Sequence, residues 1–201
     1  AKTIGENLNG YKIICTKSTV PIGTGKRIEE IIRSVNPNGD FDYVSNPEFL
    51  REGAAVKDFL HPDRVVIGTR TQKAIDVMGE VYRPLYINET PIIFTTVETA
   101  EMIKYAANAF LSLKISYINE IANLCEAVGA DAHEVARAMG LDGRISAKFL
   151  HPGPGYGGSC FPKDTHALAS TGQKNSSPLL TVEAAIKTNA SQKVRMVDKL
   201  K

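Results

Sequence analysis

The sequence predicts a parallel α/β unit over residues 1–94 followed by an all-helical unit over 95–201. Three observations carry this expectation. Short apolar runs alternate with helical periods through the first half. The stretch from Val97 to Val128 contains neither glycine nor proline. Helical patterns dominate the residues beyond Val128.

Residues 1–8 read as the end of a helix closed by Asn9-Gly10. Residues 11–16 (Tyr-Lys-Ile-Ile-Cys-Thr) form an apolar run of the kind found in a buried parallel strand, which places Cys15 in the core. After Pro21 and Gly23, Thr24 is the expected cap of a helix through Ile28, Ile31 and Ile32, ended by Asn36-Pro37-Asn38-Gly39. Phe41–Ser45 and Arg64–Gly68 read as strands, with a helix near 71–83. Apolar or small residues at Ala100, Ile103, Ala107, Phe110, Leu111, Ile118 and Ile121 recur with helical spacing, so residues 97–128 predict one helix about 45 Å long. Gly129 stops it, and Asp131 with Glu134 predicts a capped short helix ending near Gly140. A last helix is expected over 178–200.

With 201 residues, 43% of them hydrophobic, the chain has ample apolar mass for one or two cores, which excludes disordered and collagen-like classes. Twenty-four basic against 22 acidic residues leave a net charge of +2, too balanced for a nucleic-acid or anionic-membrane surface. Three cysteines, at 15, 125 and 160, give no disulfide framework and suit a reducing compartment. No apolar stretch is long enough to span a membrane and no signal-peptide pattern opens the chain, so a cytoplasmic location is expected. Three Asn-x-Ser/Thr triplets, at Asn88, Asn175 and Asn189, carry no weight without a secretory route. The first residue is Ala1 and the first methionine Met78, so a piece of a longer protein is expected.

The chemistry concentrates in Gly153-Pro-Gly-Tyr-Gly-Gly-Ser-Cys160-Phe-Pro-Lys163-Asp164. Gly153, Gly155 and Gly158 satisfy a dinucleotide fingerprint literally, but no strand precedes them and Pro162 interrupts the place where a phosphate-binding helix would begin. Cys160 is the better candidate, because a thiolate is a strong nucleophile and Lys163 puts a cation three residues away. Cys125, in an apolar helix, reads as core. Lys104 and Asn108, four apart on the long helix, share a face from which to hold an oxyanion or a hydroxyl. Ser45-Asn-Pro-Glu48-Phe-Leu-Arg-Glu52-Gly and Lys17-Ser-Thr19-Val-Pro each follow a strand's carboxyl end, where open α/β sheets bind ligands. Histidines at 61, 133, 151 and 166 show no paired ligand spacing, so no metal site is expected.

These segments, together with Lys104-Tyr-Ala-Ala-Asn108-Ala-Phe and Arg144-Ile-Ser-Ala-Lys-Phe149-Leu, resemble the nucleotide-sugar 6-dehydrogenases over essentially the whole chain. The cysteine loop and the Asn-Pro-Glu segment are the most specific of them. The resemblance implies the second half of a Rossmann-like NAD domain followed by a helical central domain that dimerises through 97–128. It implies oxidation of a sugar's primary alcohol to a carboxylate with two equivalents of NAD. Cys160 would carry a thiohemiacetal and then a thioester. Lys104 and Asn108 would stabilise the oxyanion, while Asp164, Thr19 and Glu48 would activate or order the hydrolytic water.

By the same match, Thr19, Glu52 and Lys163 would touch NAD. Glu48, Phe49, Leu50, Arg51, Glu52, Phe149, Leu150, His151, Pro152, Gly153 and Gly157 would line the sugar nucleotide, and Arg144 would reach it across a homodimer interface. The Gly-Gly-Ser-Cys-Phe-Pro-Lys-Asp wording favours UDP-glucose, giving UDP-glucuronate, over GDP-mannose or an N-acetylated UDP sugar. The first strand and glycine turn of the NAD domain and a second nucleotide-binding domain are expected outside residues 1–201, which would leave this stretch inactive in isolation. Two other classes remain: a dimerisation module, and a cysteine hydrolase using His166 or His151 as base.

Overall fold

The computed structural model describes residues 1–201, with side chains given for 1–85 and 89–201, so Asn88 of the first triplet lies outside the described side chains. The chain divides into two compact units, Ala1–Lys104 and Tyr105–Lys201.

In the first unit, strands β1 (Lys12–Thr16), β2 (Phe41–Ser45), β3 (Val65–Gly68) and β4 (Ile92–Thr95) form one sheet in that order. β1 and β2 run parallel, as do β3 and β4, in keeping with the alternation of strands and helices. The two pairs meet antiparallel at a single position, Ser45 opposite Gly68, which the sequence did not announce. Because only strand ends meet there, side chains complete the junction. Asn46 Nδ2 donates to the Val66 carbonyl at 2.7 Å, and Thr69 Oγ1 donates to the Tyr43 carbonyl at 3.2 Å. The central strands β2 and β3 are largely buried, and Val44, Val65 and Ile67 pack with Ala74 and Met78 of the helix that follows β3.

β1, at the sheet edge, departs from its expected burial, and Cys15 is exposed rather than part of the core. It has a neighbouring strand, β2, on one side only, and Lys12 and Cys15 are exposed while Ile13, Ile14 and Thr16 are half-buried.

Helices α1 (Lys2–Glu6), α2 (Thr24–Val35), α3 (Ala55–Leu60) and α4 (Gln72–Tyr82) complete this unit, with a 3-10 turn over Arg83–Asn88. Neither α3 nor β4 was predicted. Thr24 is not the cap of α2. Gly23, in a left-handed conformation with φ 90°, occupies that position without a side-chain bond. The amides are satisfied instead by Glu101, whose carboxylate accepts from Gly23 N–H at 2.6 Å and Gly25 N–H at 2.9 Å. α4 is capped by Thr71, whose Oγ1 accepts from Ala74 N–H at 3.2 Å.

Helix α5 (Val97–Val128) belongs to both units and matches its predicted bounds, 32 residues, or about 48 Å. Gly129, with φ 76°, ends it, and Asp131 Oδ1 accepts from the amides of His133 and Glu134 to start α6 (Ala132–Gly140). Then come α7 (Cys160–Lys174) and α8 (Leu180–Asp198). Pro162 does not prevent a helix from starting. It lies in the first turn of α7, where its missing N–H would lack an intrahelical partner in any case and its fixed φ suits the helix. In this second unit Ile118, Ala136 and Leu150 form a core cluster.

Candidate active site

In the first unit the parallel register of β1 and β2 sets Thr16 beside Ser45, so the segments after both strands leave the sheet at one end. Lys17 and Thr19 follow one strand, and Asn46, Glu48 and Phe49 the other. Asn46, almost wholly buried, gathers this end together: its Oδ1 accepts from Lys17 Nζ at 3.0 Å and from the Tyr82 hydroxyl. Glu48 lies in irregular structure after β2 and Glu52 in a turn, neither of them on a helix. Glu48 Oε2 accepts from Leu50 N–H at 2.6 Å, while its Oε1 stands 3.6 Å from Lys104 Nζ. The Lys104 side chain, 4% exposed, is thereby a buried cation with a carboxylate partner. Its ammonium is also 5.2 Å from the centre of the Phe49 ring, which the Arg64 guanidinium covers at 3.8 Å.

Arg51 is committed elsewhere, to Asp58 at 2.5 Å, and the guanidinium holds that carboxyl well below its usual range, at about 2. Glu52 is exposed in the turn leading to α3.

In the second unit Cys160 is exposed at the first position of α7. Asp164 lies one turn further along the same face and has no accessible surface. Its Oδ2 accepts from Asn108 Nδ2 at 2.6 Å. Its Oδ1 has only Lys163 Nζ, 3.5 Å away, and no hydrogen bond. A buried carboxylate oxygen without a hydrogen bond is uncommon in a folded protein. Phe161 packs edge-on against Phe149, with centroids 6.0 Å apart, and against Tyr156, 6.1 Å apart. Burial raises the Tyr156 phenol above its ordinary range.

The segment ahead of α7 holds two non-glycine residues at positive φ, Ser146 (65°) and Phe149 (66°), a backbone strain that tends to gather at ligand sites. Leu150 is 3% exposed. Arg144 is exposed and paired with Asp142 at 2.6 Å. His151 and Gly157 are exposed, and Pro152 and Gly153 partly so. Among the described residues no group of His, Cys, Asp and Glu is arranged to hold a metal ion.

Sequence reasoning missed Asn46 and, of the buried polar row on α5, Glu101, Ser112, Ser116 and Asn119. In the first unit this row holds Glu101 and Lys104, and in the second Asn108, Ser112, Ser116 and Asn119, all with 7% exposure or less. Polar residues recurring every three or four positions on a helix were the available signal.

An α/β unit with loops leaving the carboxyl ends of parallel strands, followed by a helical unit presenting a cysteine, is a layout that dehydrogenases use. Residues 1–86 match the NAD binding domain of the UDP-glucose/GDP-mannose dehydrogenase family, and residues 98–191 match its central domain. The chain belongs to this family. A UDP-glucose 6-dehydrogenase of Rhizobium meliloti is 58% identical over 98% of the chain, and UDP-glucose 6-dehydrogenase TuaD of Bacillus subtilis 54% identical over all of it. The chain spans 45% and 43% of their respective lengths. The structure of a UDP-glucose dehydrogenase from Pyrobaculum islandicum aligns with a TM-score of 0.90 and 36% identity, over 94% of this chain and 44% of that one.

Proposed function

We propose that the protein oxidises UDP-glucose to UDP-glucuronate in two NAD-dependent steps, with Cys160 as the covalent nucleophile. The observation that carries this reading is the placement of Cys160 one helical turn before the fully buried Asp164 and its Asn108 partner. The residues fit the cofactor. Aligned carboxyl ends of parallel strands are where dinucleotides bind, and Thr19 and Glu52 lie on the segments leaving them. With Lys163 these two are the proposed contacts, and NAD when bound accepts the hydride of each oxidation.

The residues of the chain do the rest. In the first oxidation Asp164 or Glu48 takes the alcohol proton, directly or through water. The Cys160 thiolate then adds to the resulting aldehyde carbon, giving a tetrahedral thiohemiacetal that still carries one hydrogen. Lys104 and Asn108, one turn apart on α5, hydrogen-bond its oxygen, each donor worth roughly 3 kcal/mol in comparable sites. Loss of that hydrogen as hydride leaves a thioester. Water ordered by Thr19 and deprotonated by Glu48 or Asp164 cleaves the carbon–sulfur bond, releasing the carboxylate and the thiol. Glu48, Phe49, Phe149 and the backbone of 150–153 and 157 are the proposed lining for the sugar nucleotide, with Arg144 contributed by a second copy.

That second copy has a surface to meet. Phe110, Tyr117, Leu124 and Val128 are 61%, 47%, 58% and 68% exposed on α5, the first three spaced seven residues apart, the repeat of a helix-pairing seam. A cysteine hydrolase reading finds less support. His166 lies six residues beyond Cys160 on one straight helix, about 240° around its axis and 9 Å along it.

The test is the yield of NADH per UDP-glucose by the intact protein, beside Cys160→Ser. Two NADH per sugar, with carboxylate formation lost in the variant, is the expected result. One NADH per sugar, or an indifferent variant, would overturn covalent four-electron oxidation.

A further inference from the structure

Between Leu150 and the start of α7 at Cys160 the chain has no regular secondary structure, yet two of its residues have both backbone groups occupied. Gly153 N–H donates to Asn119 Oδ1 at 2.7 Å, and its carbonyl accepts from Gln192 Nε2 at 2.8 Å. Tyr156 N–H donates to Asn189 Oδ1 at 2.7 Å, and its carbonyl accepts from Asn189 Nδ2 at 3.1 Å. Gln192 is itself oriented by Asn123, whose Nδ2 donates to Gln192 Oε1 at 2.9 Å. Asn119, Asn189 and Gln192 are 0%, 6% and 4% exposed.

Side-chain amides from α5 and α8 therefore do for this segment what a neighbouring strand does in a sheet. The fit is close. Gly155, at φ 104°, would place a Cβ 2.5 Å from Asn189 Oδ1, so at this position the loop lies directly against α8.

Buried amides that served only to dock α8 on α5 would pair with each other. Among the described residues only Asn123 with Gln192 does so, and the other bonds of these amides end on the loop backbone. We infer that Asn119, Asn189 and Gln192 are positioning residues that fix the course of residues 153–156, and through it the nucleotide-sugar loop and the approach to Cys160. None of them touches a reacting atom, so their effect falls on nucleotide-sugar binding more than on the bond-making steps. The inference rests on the dehydrogenase reading for its functional half and on the hydrogen bonds alone for its structural half.

The experiment compares the intact protein with Asn189→Leu and Gln192→Met, near-isosteric apolar replacements made singly so that one folded variant suffices. Hydrogen–deuterium exchange across residues 151–159 should quicken by about tenfold or more while α5 and α8 keep their protection. KM for UDP-glucose should rise by about fivefold or more, with KM for NAD within about twofold of wild type. Unchanged loop exchange would overturn the clamp. Faster exchange with an unchanged UDP-glucose KM would overturn its positioning role, and lower melting temperatures with neither change would reduce the three amides to packing. A wild-type protein that turns over no nucleotide sugar would count against the proposed activity, and the exchange measurement would still decide the clamp.

Discussion

A carboxylate with no accessible surface must find its hydrogen bonds inside the protein, and Asp164 finds one of them from Asn108. Removing that donor strands a buried acceptor. Asn108→Ala should therefore lower stability by about 1–3 kcal/mol as well as impair turnover. Chemical denaturation of the variant checks this, and a change under about 0.5 kcal/mol would show that the bond contributes nothing net. Cys160, Lys104, Asn108 and Glu48 were legible in the sequence because each is a chemically active type in a distinctive local setting. Asn46, Asn119, Asn189 and Gln192 were not. Their partners include backbone groups 20 to 39 residues away, and a backbone group leaves no mark in a sequence.

Among the elements, α5 was the most legible, since 32 residues without a breaker admit one structure. The start of α2 was misread because its amides are met by Glu101, 76 and 78 positions later in the chain, and not by a neighbouring hydroxyl. The start of α7 was missed because Pro162 was read as interrupting a helix start, although a first turn tolerates proline. α3 was missed as a short helix, and a tie across the preceding turn now defines its approach. Arg51 N–H and Nε both donate to Asp58 Oδ2 at 2.9 Å. This pairing depresses the Asp58 carboxyl in the folded state, chiefly through the Arg51 side-chain hydrogen bond. The tie is therefore fully present above the ordinary carboxylate range and is lost as pH falls through about 2. NMR titration of Asp58 should give a midpoint near 2. In Arg51→Met it should move toward roughly 3.9, and equal midpoints in the two proteins would refute the assignment.

For the whole molecule, the order of an α/β unit before a helical one was readable from the change in hydrophobic period, while the antiparallel junction at Ser45 and Gly68 was not, because one residue pair sets it. Among the described residues no helix is long and apolar enough to cross a membrane. The exposed apolar row on α5 is the proposed contact with a second copy, and its disruption is a test at this scale. Leu124→Glu, at a position already 58% exposed, should leave the fold intact and shift the intact protein toward half its mass in light scattering. A wild-type monomer, or an unchanged mass in the variant, would remove the seam from the interface.

The buried row on α5 also bears on how freely the protein can change. Glu101 holds the amides of Gly23 and Gly25, Ser116 holds the Ala185 carbonyl at 3.1 Å, and Asn119 holds the Gly153 amide. Each anchor grips a part of the chain that nearly every residue type supplies. Mutation can thus rewrite many side chains on the anchored segments, and with them the ligand preference, without releasing the segments, whereas the anchors themselves have little room to drift. Diversification of specificity in such a protein should proceed mostly on the segments that are held and least on the helix that holds them.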